Sequence, residues 1–112
     1  MNWEEMTPRG WDALVAEHIY GREPLLGRHG LHENGDIEYS WGYPHGHNTA
    51  PNYSTNASVA DEMENELERQ GLDSIYLVKL SQIVGANPIV ALGTATPEQR
   101  CRAALRAKGI NV

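Results

Sequence analysis

Four histidines, two strand-end aromatics and two hydroxyl-bearing helix entries are the residues of this 112-residue chain whose types and spacing could do chemistry. His29 and His32 form an H-x2-H pair and His45 and His47 an H-x-H pair. Imidazole nitrogens suit Zn, Ni or Cu, but no cysteine accompanies them. Trp41 and Tyr43, with Gly42 between them and Arg28 placed across a strand, could stack a base and neutralise a phosphate. The same aromatics would serve equally well as packing. Tyr53-Ser54-Thr55 and Thr94-Ala95-Thr96 stand where helices are expected to begin, and the free N–H groups of a helix start attract anions. Thr96 alone, however, would be satisfied as an ordinary cap. The lone Cys101 falls on an apolar helix face, where a thiol behaves as a small hydrophobe, and neither a Gly-x-Ser-x-Gly nor a phosphate-cradling glycine motif is present. Asp61, Glu62, Glu64, Glu66 and Glu68 read as a solvated helix face. No catalytic residue and no metal ligand is therefore assigned.

The elements that must position these residues are partly marked by their caps. Thr7-Pro8 opens a first helix with an N-cap and a proline at the first helical position, and Trp11, Leu14, Val15, His18 and Ile19 recur on one face before Gly21. Between residues 25 and 43 the period changes to two around Asn34-Gly35, the pair favoured in a type I′ hairpin turn. That register sets Gly30 opposite Tyr39, Arg28 opposite Trp41 and Leu26 opposite Tyr43 on one aromatic face. It sends His29 and His32 to opposite faces of their strand, which works against a shared metal. Tyr39 is expected in the core, under the first helix. Residues 44 to 51 read as a loop, and Ser54, Thr55, Asn56 and Ser58 are alternative caps for a second helix carrying Val59, Ala60, Met63 and Leu67 and ending near Gly71. SIYLVKL, 74 to 80, and NPIVALG, 87 to 93, read as buried strands. Thr96-Pro97-Glu98-Gln99 is a capping box that opens a last helix with Cys101, Ala104 and Leu105 buried. The expected architecture is a single-domain α/β/α sandwich, order α-β-β-α-β-β-α, with about four strands.

Composition narrows the function classes. A 40% apolar and 21% charged chain is that of a globular domain, with no apolar run of membrane-spanning length. The net charge of −6 disfavours nucleic-acid binding through phosphate contacts. DEMENELERQ is strongly acidic and EQRCRAALRAK strongly basic, so one helix is acidic and one basic. A single cysteine excludes an internal disulfide, and the opening residues carry no secretion-type apolar stretch, so the host cell cytoplasm is the expected location.

Three segments resemble small phage proteins that carry the phage ABA sandwich domain: WDALVAEHIYG, the opening helix; PNYSTNASVADEME, the Pro-x-Tyr-Ser-Thr helix entry; and ATPEQRCRAALRAKG, the closing helix. The resemblance implies an α/β/α sandwich and a phage or prophage origin, and little chemistry. The chain departs from that pattern at Arg22 and Asp61, where the family often carries aromatics, and through RHGLHENGDIEYSWGYPHGHN.

The expected function is that of a non-enzymatic phage accessory protein, of an anti-defence kind, that sequesters a small anionic or nucleotide-like host signal. Its ligand would be held by Arg28, Trp41, Tyr43, His45, His47, Tyr53, Ser54, Thr55, Thr94 and Thr96. No cofactor and no membrane partner is expected, and a homo-oligomer is. The alternative is a protein-interaction inhibitor of a host factor acting through the acidic helix. A metal-dependent hydrolase using the histidines ranks third.

Overall fold

The computed structural model describes residues 5–24, 38–40 and 47–112. The protein is mostly helical, with α1 Pro8–His18, α2 Ala57–Arg69, α3 Asp73–Val84, α4 Pro88–Thr94 and α5 Pro97–Ala107. Two three-residue strands, β1 Glu38–Ser40 and β2 His47–Thr49, pair antiparallel as the one sheet among the described residues. An α/β/α sandwich with about four strands is therefore not the fold.

The correction falls on residues 74 to 80 and 87 to 93, expected as strands and found in α3 and α4. An unbroken apolar run has no period of its own, so neighbouring signals decide its structure. Here they favour helix. Asn87 caps α4 by accepting from the Val90 N–H at 3.0 Å, with Pro88 at the first helical position, where its missing N–H costs nothing. Gly85 closes α3 in the left-handed conformation, φ 77°, which glycine adopts without penalty. Once α3 is helical, Tyr76, Leu80 and Ile83 fall along one side of it and Ile75 and Val78 on another. Tyr76 and Leu80 are buried, while Ile75 and Val78 are exposed.

The three other helices form where the sequence marks them. Thr7 caps α1 by accepting from the Gly10 N–H at 3.1 Å, and Trp11, Val15 and Ile19 are buried while His18 is exposed. Asn56, rather than Ser54, Thr55 or Ser58, caps α2, which buries Ala60, Met63 and Leu67. Thr96 and Gln99 form the capping box of α5, which buries Cys101, Ala103, Ala104 and Leu105. These helices and α3 share one core of Trp11, Val15, Ile19, Met63, Leu67, Tyr76, Leu80 and Leu105, with α5 packed against α1, α2 and α3.

A satellite cluster joins the ribbon to α1. Tyr39 is buried against Ala16 and Ala50, as its mid-strand position predicts, and its hydroxyl donates to Glu17 at 3.1 Å. Its strand neighbours are Asn48 on one side and Pro24 on the other, and the expected partner Gly30 lies outside the described residues. Residues 47 to 49, expected inside a loop, form the second strand. The Asn34-Gly35 turn and the Arg28–Trp41 and Leu26–Tyr43 pairs lie outside the described residues.

Helical α3 and α4 imply a particular contrast in stability. Leu80→Ala should cost about 2–5 kcal/mol in urea unfolding, the range for a fully buried aliphatic. Ile89→Ala should change stability by less than about 0.5 kcal/mol, as for an exposed side chain. A strand buried on both faces would instead make the two losses comparable.

Candidate functional site

α5 carries Arg100, whose residue is only 8% exposed. A buried guanidinium is tolerated when its donors are engaged. Arg100 bonds Glu64 through Nη2 at 2.5 Å and Nε at 3.2 Å, pairs with Asp61, and reaches the Ala57 carbonyl at 3.5 Å. The buried Tyr76 hydroxyl donates to the same Glu64 carboxylate. Burial works against the Arg100 charge, but the bonds to Glu64 and Asp61 outweigh it and push its pKa up. The acidic and basic segments of the sequence thus meet here. Part of the carboxylate row read as a solvated face is an ion-paired seam.

Glu64 and Tyr76 also line an open cleft of about 240 Å³ with Asn65, Glu68, Asp73, Leu77 and Leu92. Glu64 has its place set by Arg100 and Tyr76. Glu68 and Asp73 form no ion pair among the described residues. Leu92 is also one of the large aliphatics exposed among the described residues, with Ile75 at 47% exposure, Val78 at 53%, Ile89 at 84%, Val90 at 45% and Leu92 itself at 50%. Ile75 and Val78 leave α3 on the side away from Tyr76 and Leu77, whereas Ile89 stands one turn from Leu92 on α4 and borders the cleft with it. Exposed aliphatics gathered on one short helix are the kind of surface that marks an interaction site. α3 and α4 bend by 74° at their junction, and no single helix among the described residues is long and apolar enough to cross a membrane.

A second cleft, about 220 Å³, lies among Trp11, Ile83, Glu98, Gln99 and Arg102. The Trp11 indole Nε1 is buried without a hydrogen-bond partner among the described residues. Gln99 is engaged at this place in the α5 capping box.

The residues expected to hold a nucleotide have varied places. Arg28, Trp41, Tyr43 and His45 lie outside the described residues, as do His29 and His32. His47 begins β2. Tyr53 and Ser54 come together with α1 as part of a buried latch. The Ser54 N–H donates to the Asp12 carboxylate at 2.8 Å and its hydroxyl to the Pro8 carbonyl at 2.9 Å. Arg9 reinforces the latch by donating to Asp12 at 2.8 Å and to the Ala50 carbonyl at 2.7 Å. Tyr53 is buried against Tyr20, ring centroids 5.5 Å apart. Thr55 is exposed one residue before the α2 cap. Thr94 ends α4 with its hydroxyl donating to the Val90 carbonyl at 2.8 Å, while Thr96 caps α5.

Among the described residues no cluster of three His, Cys, Asp or Glu could hold a metal ion. Cys101 is buried, and desolvation pushes its thiol far above the range in which a thiolate forms. Glu68 belongs to the acidic helix on which the alternative function rests, whereas nothing in the sequence reading marked Asp73 and the α3–α4 aliphatics as site residues. Asn87-Pro88 was the signal that would have turned Ile89 and Leu92 from strand residues into helix residues.

Two outcomes test this seam. Arg100→Leu should destabilise the protein by about 2–3 kcal/mol, below the ~3–5 of a fully buried pair because Asp61 stays largely exposed. Tyr20, Tyr39, Tyr53 and Tyr76 are all held protonated above the ordinary tyrosine range, chiefly by burial, with Glu64 adding to the effect at Tyr76. Their raised values contribute stability that is intact below about pH 10 and is lost at higher pH, where the unfolded chain ionises first. Tyrosinate absorbance should therefore rise together with loss of helical circular dichroism. Ionisation of all tyrosines with the helix signal intact would contradict the burial.

No protein-family model matches this chain, and neither the curated proteins nor the solved structures contain a match to it.

Proposed function

We propose that the protein is a non-enzymatic interaction module that docks on another protein through the aliphatic face of α3 and α4. The carrying observation is the exposure of Ile75, Val78, Ile89, Val90 and Leu92 on two adjoining helices. Removing a half-exposed aliphatic side chain from water contributes roughly 1 kcal/mol, so five contribute about 5 kcal/mol, comparable to the lower range of the cost of association, and polar contacts must supply the rest of the affinity. A phage-encoded accessory role, directed at a host factor, rests on the likeness of the opening, second and closing segments to small phage proteins, although the sandwich which that likeness implies is not the fold.

Sequestration of a nucleotide-like ligand has less support. Tyr53 and Ser54 are committed to the α1 latch, Thr94 to its own helix and Thr96 to its cap. Its remaining residues lie largely outside the described part of the chain.

The two readings separate in one preparation. Tagged protein recovered from host cells should carry a stoichiometric partner by native mass spectrometry. That partner should be lost from an Ile89→Asp, Leu92→Asp double variant that keeps its circular dichroism, and retained by Arg69→Ala. A partner that survives the double variant would contradict docking through this face. Release on heating of a stoichiometric nucleotide, held equally by both variants, would favour sequestration instead.

A further inference from the structure

We infer that the partner presents a cationic amphipathic segment, with one Lys or Arg seated in the Glu64–Glu68–Asp73 cleft and its apolar residues against Ile89 and Leu92 of α4. This inference rests on the interaction function proposed above and specifies the chemistry of the partner. The cleft combines the two surfaces that a long cationic side chain needs. Leu77 and Leu92 offer apolar contact for the methylene stem, and the carboxylates meet the charged head. Glu64 is already compensated by Arg100, whereas Glu68 and Asp73 bring negative charge with no ion-pair partner among the described residues. Because Leu92 lines the cleft and Ile89 is exposed one turn from it on α4, one segment can meet both when its cation stands a helical turn from an apolar residue.

Charge selects among possible occupants. A chain of net charge −6 is repelled by anionic bilayers and by nucleic acid, and it steers a basic protein segment towards itself. A second copy of this chain is a poor match. Its basic helix α5 has Arg100, Arg102 and Arg106 engaged within the fold, as is Lys108 just past its end.

The test places the photo-crosslinking residue p-benzoylphenylalanine at position 89 of the full chain in host cells and sequences the crosslinked peptide. The expected peptide comes from another protein and carries Lys or Arg within one helical turn of apolar residues. Its yield should fall roughly tenfold when Glu68→Lys is combined with Asp73→Asn, the effect of losing two rim contacts. It should fall much less with Glu62→Lys, which alters net charge on the same helix. Equal yield from the cleft variant, or a crosslinked peptide without a cation, would overturn the cationic segment while leaving docking by this face intact. A crosslink to a second copy would overturn it in favour of self-association. No crosslinked protein at all would remove both this inference and the interaction function.

Discussion

The rest of the structure depends on how Arg100 is kept charged inside the protein. Its guanidinium must find acceptors, and the nearest supply is the acidic helix α2, so Asp61 and Glu64 are drawn onto α5. Glu64 in turn accepts from the Tyr76 hydroxyl. That bond, together with the burial of Tyr76 and Leu80, holds one side of α3 inward. With Tyr76 and Leu80 turned to the core, helical geometry leaves Ile75 and Val78 facing out. One ionic cluster thereby orients three helices and contributes to the exposed surface beside it.

The cleft is a by-product of the same arrangement. Arg100 brings one positive charge to α2, which carries Asp61, Glu62, Glu64, Glu66 and Glu68, and Arg69 takes up Glu66. Glu62 and Glu68 are left over, and Glu68 stands next to Asp73 in the first turn of α3, where the helix dipole favours a carboxylate. Unspent negative charge therefore borders unspent apolar surface. A partner that neutralises the one while burying the other gains from both, which is the physical basis of the proposed docking.

How much of this was legible in the sequence differs by element. Thr7-Pro8 and Thr96-Pro97 located α1 and α5 because a capping side chain followed by proline has few uses other than a helix start. Asn87-Pro88 carries the same signal, but the β-branched, apolar character of NPIVALG and SIYLVKL outweighed it and suggested buried strands. Propensity is a weak prior, and tertiary packing overrode it. Tyr39 was legible as core because a mid-strand aromatic has little alternative. Its partners were not, since the turn residues gave one register and the strand took Asn48 and Pro24. Ser54 looked like a ligand residue because a hydroxyl near a helix start also describes a latch. Only the position of Asp12, more than forty residues away in sequence, separates the two uses. The cleft was illegible for a similar reason, because its carboxylates come from two helices and its leucines include one from a third.

The central claim is that residues 73 to 94 form two helices whose aliphatic side chains stand in solvent. Backbone and methyl nuclear magnetic resonance of the free protein, with and without a soluble paramagnetic relaxation agent, tests it most directly. The account predicts helical Cα shifts through Asp73–Val84 and Pro88–Thr94, with strong broadening of the Ile75, Val78 and Ile89 methyl signals and little at Leu80. Strand-type shifts in these segments, or Ile89 methyls as well shielded as those of Leu80, would contradict it.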